Sequence, residues 1–168
     1  MHSVELNMSH RLVRAPLGLG DRRSQRRHAE DAPAVGQDAL PVGPRARLRY
    51  VNLQNWGKGV WHFAHQKGRV EQDGSLQWTI GALGSRLAKV NQHVALAGVG
   101  AAAEVNGVMF TEGKQHVAYH TLQHHAAPQC TSDFLYKAAL QDKSRTVWRG
   151  LTTRTPPVCG LELPKKKL

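Results

Sequence analysis

The sequence predicts an all-β fold, and three observations carry that expectation. Apolar runs of strand length recur: Val105–Phe110, His116–Leu122, Phe134–Ala138 and Arg145–Trp148 are each four to seven residues long and rich in β-formers. The connectors between them are turns. Thr111-Glu112-Gly113-Lys114, Ala127-Pro128-Gln129 and Gln141-Asp142-Lys143-Ser144 are too short for a crossover helix, which excludes a doubly wound α/β fold. Finally, a small-residue turn followed by polar–apolar alternation repeats at Ser75, Ala103 and Ser132, with steps of 28 and 29 residues. Strand spacing alone is compatible with a sandwich, a barrel or a β-helix. A fixed period is what stacked solenoid coils produce, since each coil must bring the chain back to the same point.

Along the chain, Leu48, Tyr50, Asn52 and Gln54 alternate with Arg49, Val51, Leu53 and Asn55, giving a strand with half-apolar faces. Asn55–Gly59 is a corner and Val60–His65 starts the next strand. After Gln72–Ser75, Leu76, Trp78 and Ile80 share one strand face. Gly81-Ala82-Leu83-Gly84-Ser85 lacks the Lys-Ser/Thr of a phosphate-binding loop and reads as another corner. Leu87–Leu96 supplies further strand, and Gly98–Ala103 turns the chain. Trp78, Val105, Phe134 and Val147 are the expected inward residues of stacked rungs.

The ends read differently. Residues 1–45 show neither a period of 2 nor one of 3.6, and residues 1–50 hold nine Arg, no Lys and five acidic residues. The expectation for 1–45 is a disordered or out-of-frame Arg-rich segment, with an RNA-binding arm at Leu17–Arg27 as the competing reading. Residues 151–168, with Pro156-Pro157 and a Lys165–Lys167 run, read as a disordered tail. These ends account for most of the +11 charge: residues 51–150 carry ten Lys or Arg against six Asp or Glu. A core this mildly basic argues against nucleic acid as a partner, and a basic β-rich nucleic-acid-binding module is the alternative reading. No apolar run approaches the ~20 residues of a membrane span, and no secretory h-region is present, so the expected location is the cytoplasm. Cys130 and Cys159 form no C-x-x-C pair, which fits a reducing compartment.

His116, His120, His124 and His125, with Cys130 nearby, are the sharpest chemical signal. On a helix, positions 116, 120 and 124 would stack three imidazoles into a zinc or iron site. On a strand they share a face but span some 26 Å at about 3.3 Å per residue, too far for one metal. His120, His124, His125 and Cys130 thus stand as weak metal candidates, a small His-rich metal-binding protein being a further alternative. Trp148-Arg149 and Tyr136-Lys137 fit a solenoid wall, aromatic inward and base outward, better than single-strand contacts. Ser75, Ser85, Ser132 and Ser144 have no GxSxG elbow, and no paired acids mark a pocket. The chain is expected to be no enzyme, with no catalytic or cofactor-binding residue.

Five ordered blocks carry a resemblance: RYVNLQNW at 49–56, QWTIGALGSRLAKVN at 77–91, EVNGVMFTEGKQH at 104–116, HHAAPQCTSDFLYK at 124–137 and DKSRTVWRG at 142–150. Over about residues 46–150 the chain resembles the core domain shared by the SufB and SufD proteins of iron–sulfur cluster assembly, and LYKAALQDKSRTVWRG is closer to SufD. The resemblance implies a right-handed parallel β-helix. It also implies a non-catalytic, SufD-like scaffold of the SUF complex, with a SufB-like chain and a SufC-like ATPase as partners and an iron–sulfur cluster assembled by the complex. Where SufB has a cysteine before the position of Trp78, this chain has Arg69-Val70-Glu71. The cysteine and histidine of the family's shared interface, and its ATPase-binding helical segment, fall beyond the likeness. The chain is therefore expected to be a fragment.

Overall fold

The computed structural model describes residues 3–7 and 33–155. Among them lie ten strands and no helix: β1 (Ser3–Asn7), β2 (Pro33–Val42), β3 (Arg47–Gln54), β4 (Trp61–Val70), β5 (Ser75–Ala82), β6 (Leu87–Leu96), β7 (Ala102–Thr111), β8 (His116–His125), β9 (Thr131–Leu140) and β10 (Arg145–Arg154). Odd-numbered strands form one sheet in the order β1-β3-β5-β7-β9, and even-numbered strands form the other in the order β10-β8-β6-β4-β2. Every pairing is parallel. The chain therefore climbs as a parallel β-helix of about four turns, two strands and two corners to each.

Side-chain alternation puts the even-numbered residues of β4 and β6 and the odd-numbered residues of β8 inward and their neighbours outward, as the burial patterns show. Parallel register then stacks like on like. Tyr50, Trp78, Val105 and Phe134 form one inward column, and Ala64, Val90, Tyr119 and Trp148 face them from the second sheet. Tyr50 meets Trp78 edge-on at 5.7 Å, and full burial of a side chain the size of Leu76 or Ile80 contributes roughly 1.5–3 kcal/mol.

Corners stack as strictly as strands. At one corner Arg45, Asp73, Gly100 and Gln129 all have positive φ, and at the other Ser85, Gly113 and Asp142 do. Each column keeps its shape because corner backbones bond to one another, as in Arg45 N–H to the Gln72 carbonyl at 2.8 Å and Asp73 N–H to that of Val99 at 2.9 Å. Gly98 lies so close beneath the corner before it that a Cβ would sit 1.9 Å from the Gln72 nitrogen. Buried glutamines tie corner to corner. Gln54 accepts from Gly84 N–H at 3.0 Å and donates to the Gly84 carbonyl and to Ser85 Oγ. From the opposite side, Gln115 donates to the Ser85 carbonyl at 2.8 Å.

Four expectations need correction. The segment read as disordered through residue 45 contains β2, which pairs with β4 over its whole length and buries Ala34, Leu40 and Val42. Its prolines, Pro33 and Pro41, point outward from an edge strand, where a missing N–H costs little. Residues 3–7 pair with β3, and the Arg-rich stretch of residues 8–32 lies outside the described residues. The tail expected from residue 151 starts later, since β10 continues to Arg154 and Thr155 N–H bonds the His125 carbonyl; residues 156–168, with Cys159, lie outside the described residues. Val147 faces outward and is 46% exposed, because Trp148 is the residue in register with inward Tyr119. Trp78 and Val105 are fully buried, and Phe134 is half-buried against the core. The period is also slightly irregular: Leu76, not Ser75, stacks on Ala103.

Replacing Gln54 by alanine removes its side-chain bonds to Gly84 N–H, the Gly84 carbonyl and Ser85 Oγ, leaving Gly84 N–H only its 3.3 Å bond to the Gln54 backbone carbonyl, and should destabilise the fold by about 1–3 kcal/mol in chemical denaturation. Gln77→Ala, on the outer face of the same sheet, should stay within about 0.5 kcal/mol. Equal losses would show that corner clamping carries no special weight.

Candidate functional site

The last rung differs from those below it. Residues 103, 105, 107, 109 and 111 of β7 and 117, 119, 121, 123 and 125 of β8 are buried. Their successors on β9 and β10 occupy the same inward columns but are half-exposed or exposed. Leu140 is 53% exposed although it stacks on the fully buried Thr111. Among the described residues neither β9 nor β10 has a neighbour on its far side, so both also present a free backbone edge.

An aromatic cluster holds this end. Tyr136 stacks on Trp148 at 5.0 Å, and Phe134 meets Trp148 edge-on at 5.2 Å. Gly107, directly below Tyr136, makes this possible: a Cβ there would lie 2.2 Å from the tyrosine ring. A hydrogen-bonded chain runs inward from the cluster. Trp148 N–H donates to Thr121 Oγ1 at 3.4 Å, Thr121 donates to the Tyr136 oxygen at 3.1 Å, and Tyr136 O–H donates to Gln92 Oε1 at 2.8 Å. Burial pushes the Tyr136 phenol up to about 12, against the opposing effect of the Thr121 bond, so it acts as a neutral donor. Sequence reasoning missed this chain, because Gln92 and Thr121 look like surface residues until their inward parity is known.

The histidine and cysteine candidates are dispersed. His116, His120 and His124 share the outer face of β8, as strand geometry requires, while His125 points inward. His124 bonds Thr153 Oγ1 at 2.9 Å through Nδ1 and Thr155 Oγ1 at 3.1 Å through Nε2. His125 Nε2 lies 2.7 Å from Ser132 Oγ. Cys130 sits in a corner with its thiol directed at the Gly98 carbonyl at 3.3 Å. Among the described residues no three His, Cys, Asp or Glu side chains converge to hold a metal ion. Burial, followed by the Arg154 guanidinium and the His124 ring, holds His125 below the ordinary histidine value of 6.5. Burial, followed by His124 and Lys67, does the same to His93. Both rings therefore fold best uncharged. Their contribution is complete above about pH 6.5, where the unfolded chain is neutral too, and is lost as the pH falls through the lowered folded values. The urea midpoint should drop on acidification below 6.5, and His125→Gln should flatten part of that slope; an unchanged slope would show that this ring carries none of it.

Comparison with known proteins agrees with this architecture. The family described as "SUF system FeS cluster assembly, SufBD core domain" matches residues 30–156. An iron–sulfur cluster assembly SufBD family protein of Mycobacterium tuberculosis is 32% identical over 131 residues, covering 74% of this chain and 16% of the relative. A second from that organism is 31% identical over 137 residues, covering 77% of this chain and 33% of its own length. One from Mycobacterium leprae is 30% identical over 128 residues, covering 72% and 33%. The chain thus spans between about a sixth and a third of the relatives it matches. No solved structure matches it. The family match begins at residue 30, just before β2, and ends at 156, just after β10, so it coincides with the stacked rungs themselves. The chain belongs to the SufBD core-domain family of the SUF iron–sulfur cluster assembly system.

Proposed function

We propose that this chain is a SufD-like, non-catalytic scaffold component of SUF iron–sulfur cluster assembly in the cytoplasm, and that its last rung is where a SufB-like chain joins it. Membership of the family supports the assembly role, in which the cluster is cargo built by the complex rather than a group resident in this chain. The uncovered last rung is the observation that carries the docking reading. A parallel β-helix protects its interior only by adding a further rung or a cap. Here Phe134 and Tyr136 pack against the core and Trp148 against them, and among the described residues β9 and β10 have no strand on their far side. A second β-helix end, adding strands in the same stacking mode, satisfies both the backbone edge and the exposed interior. A SufC-like ATPase belongs to this reading as the energy source of the complex, engaged through parts of the assembly other than these rungs.

The isolated chain is expected to self-associate or aggregate, and co-expression with a SufB-like partner should bring it into a soluble complex of defined mass by light scattering. Leu140→Asp places a charge on the open rung with little loss of core packing and should abolish co-purification. A soluble monomer that unfolds cooperatively, or a complex indifferent to Leu140→Asp, would defeat the docking reading.

A further inference from the structure

The two outer faces of the β-helix differ in charge. Register sorts the outward residues of the second sheet into five rows along the solenoid axis, beginning at Pro33, Val35, Gln37, Ala39 and Pro41 of β2. No outward position in these rows is Asp or Glu, on any of β2, β4, β6, β8 or β10. Lys67, Arg69, Lys89, Arg145 and Arg149 are spread across them. His65, His93, His116, His120 and His124 fill much of the remainder. The first sheet's outer face is mixed instead: Arg49 bonds Gln77 and Gln77 bonds Glu104, with Asp133 next in the column. Among the described residues, Arg69 is the second-sheet cation with a carboxylate partner, Glu71 at a corner, 2.7 Å away.

A groove of about 460 Å³ crosses β4, β6, β8 and β10 between the third and fourth rows. Its walls include His65, Lys67, His93, His120 and Arg149, and Leu122 and Leu151 supply apolar surface. Beside it, in the first two rows of β4, Trp61 and Phe63 stand outward, 41% and 37% exposed. We propose that the outer face of the second sheet docks an acidic segment of a partner protein, laid along this groove with an apolar side chain against Trp61 or Phe63. The proposal rests on the scaffold reading only in taking the occupant to be a protein, and it uses a different surface from the open rung.

Three arguments choose the occupant. A face without carboxylates repels a second copy of itself, so self-association through this surface is disfavoured, whereas an acidic chain meets complementary charge throughout. The composition is that of an interface core, with Trp, Phe and Arg present and Asp and Glu absent. At a strand spacing near 4.8 Å and 3.3 Å per residue the five strands offer roughly 600 Å², close to the ~800 Å² per partner of a standard interface. Nucleic acid fits less well. Strong phosphate binders make about 6–10 phosphate contacts, and this face offers four further cations, Lys67, Lys89, Arg145 and Arg149, that have no carboxylate partner among the described residues. Trp61 and Phe63 are also set to one side of the groove rather than interleaved with its charges.

The test uses the full chain and fluorescence anisotropy with two probes, a labelled Glu/Leu-alternating peptide and labelled oligo(dT), each at low and at physiological salt. Lys89→Glu/Arg149→Glu changes only outward side chains and should weaken the peptide by about tenfold or more. Arg47→Glu/Lys137→Glu, an equal charge change on the first sheet's outer face, should have little effect, as should replacing Arg22, Arg23, Arg26 and Arg27 by serine. Trp61→Ala should weaken the peptide further at physiological salt, and circular dichroism confirms that each variant keeps its fold. If the two double variants weaken the peptide equally, or the arginine replacement alone removes binding, the face is no docking surface. If oligo(dT) binds more tightly than the peptide and is lost with Lys89→Glu/Arg149→Glu, the face serves nucleic acid and the proposal is overturned. Neither result bears on Leu140→Asp, so this surface and the open rung fail independently.

Discussion

Everything in this molecule depends on parallel register held, from β2 onward, at a repeat of 26 to 29 residues, as the stacked partners show. Once Trp61 is placed under Leu87, and Leu87 under His116, every inward residue of the second sheet meets its counterpart one rung away. A slip of one residue would exchange the inner and outer faces of a whole strand. The stacked corners prevent such a slip. Left-handed positions recur at the same point of each coil, and Gln54 and Gln115 hold the Leu83–Ser85 corner from both sides. The variable length sits in the corners, where Asn55–Val60 takes six residues and Leu83–Arg86 four, and in β3 and β5, which are eight residues long where β2, β4 and β6–β10 have ten.

The interior is less apolar than a globular core of this size, and its polarity is organised. Gln66, Gln92 and Thr121 stack in one column of the second sheet, with Asp38 below them, and Gln66 donates to Asp38 at 2.9 Å. Buried polar groups are tolerable when the next rung supplies a partner, and stacking does so for part of each side chain, although Gln66 Oε1 and Gln92 Nε2 meet none among the described residues. At the last rung the pattern changes: Gly150 follows Thr121 in the column, and Tyr136 and Trp148 reach in from either sheet to complete the hydrogen bonds. The hydroxyl groups of this rung are thus tied into the column below, while the side chains of β9 and β10 stay partly exposed.

Much of this was legible in the sequence, and the reasons for the gaps are specific. Leu76, Trp78 and Ile80 announce an inward face because large apolar residues alternate with Gln77 and Thr79. The strand at Pro33–Val42 hides itself because its inward residues are Ala34, Gly36, Asp38, Leu40 and Val42, of which only the last two look like core. Val147 and Trp148 are both apolar, so local pattern could not choose between them; contact with Tyr119, far away in sequence, does. Dispersal of His116, His120 and His124 along one strand followed from the 3.3 Å rise alone. Charge segregation between the two outer faces was invisible, because it appears only when alternate strands are assigned to alternate sheets. Lys89 and Glu104 are close in sequence yet belong to opposite walls.

The constancy of the repeat also governs how such a chain acquires its structure. Each strand pairs with one a single coil back, so every new rung closes a loop of the same length however long the solenoid becomes. For about 28 residues the length-dependent part of that closure is about 3 kcal/mol, and it does not grow with distance from the first rung. A compact fold built from ever more distant pairings slows as it lengthens. This one can add coils as the chain leaves the ribosome, each templated on the rung already formed, so the growing end is at every moment the same kind of edge that β9 and β10 form among the described residues.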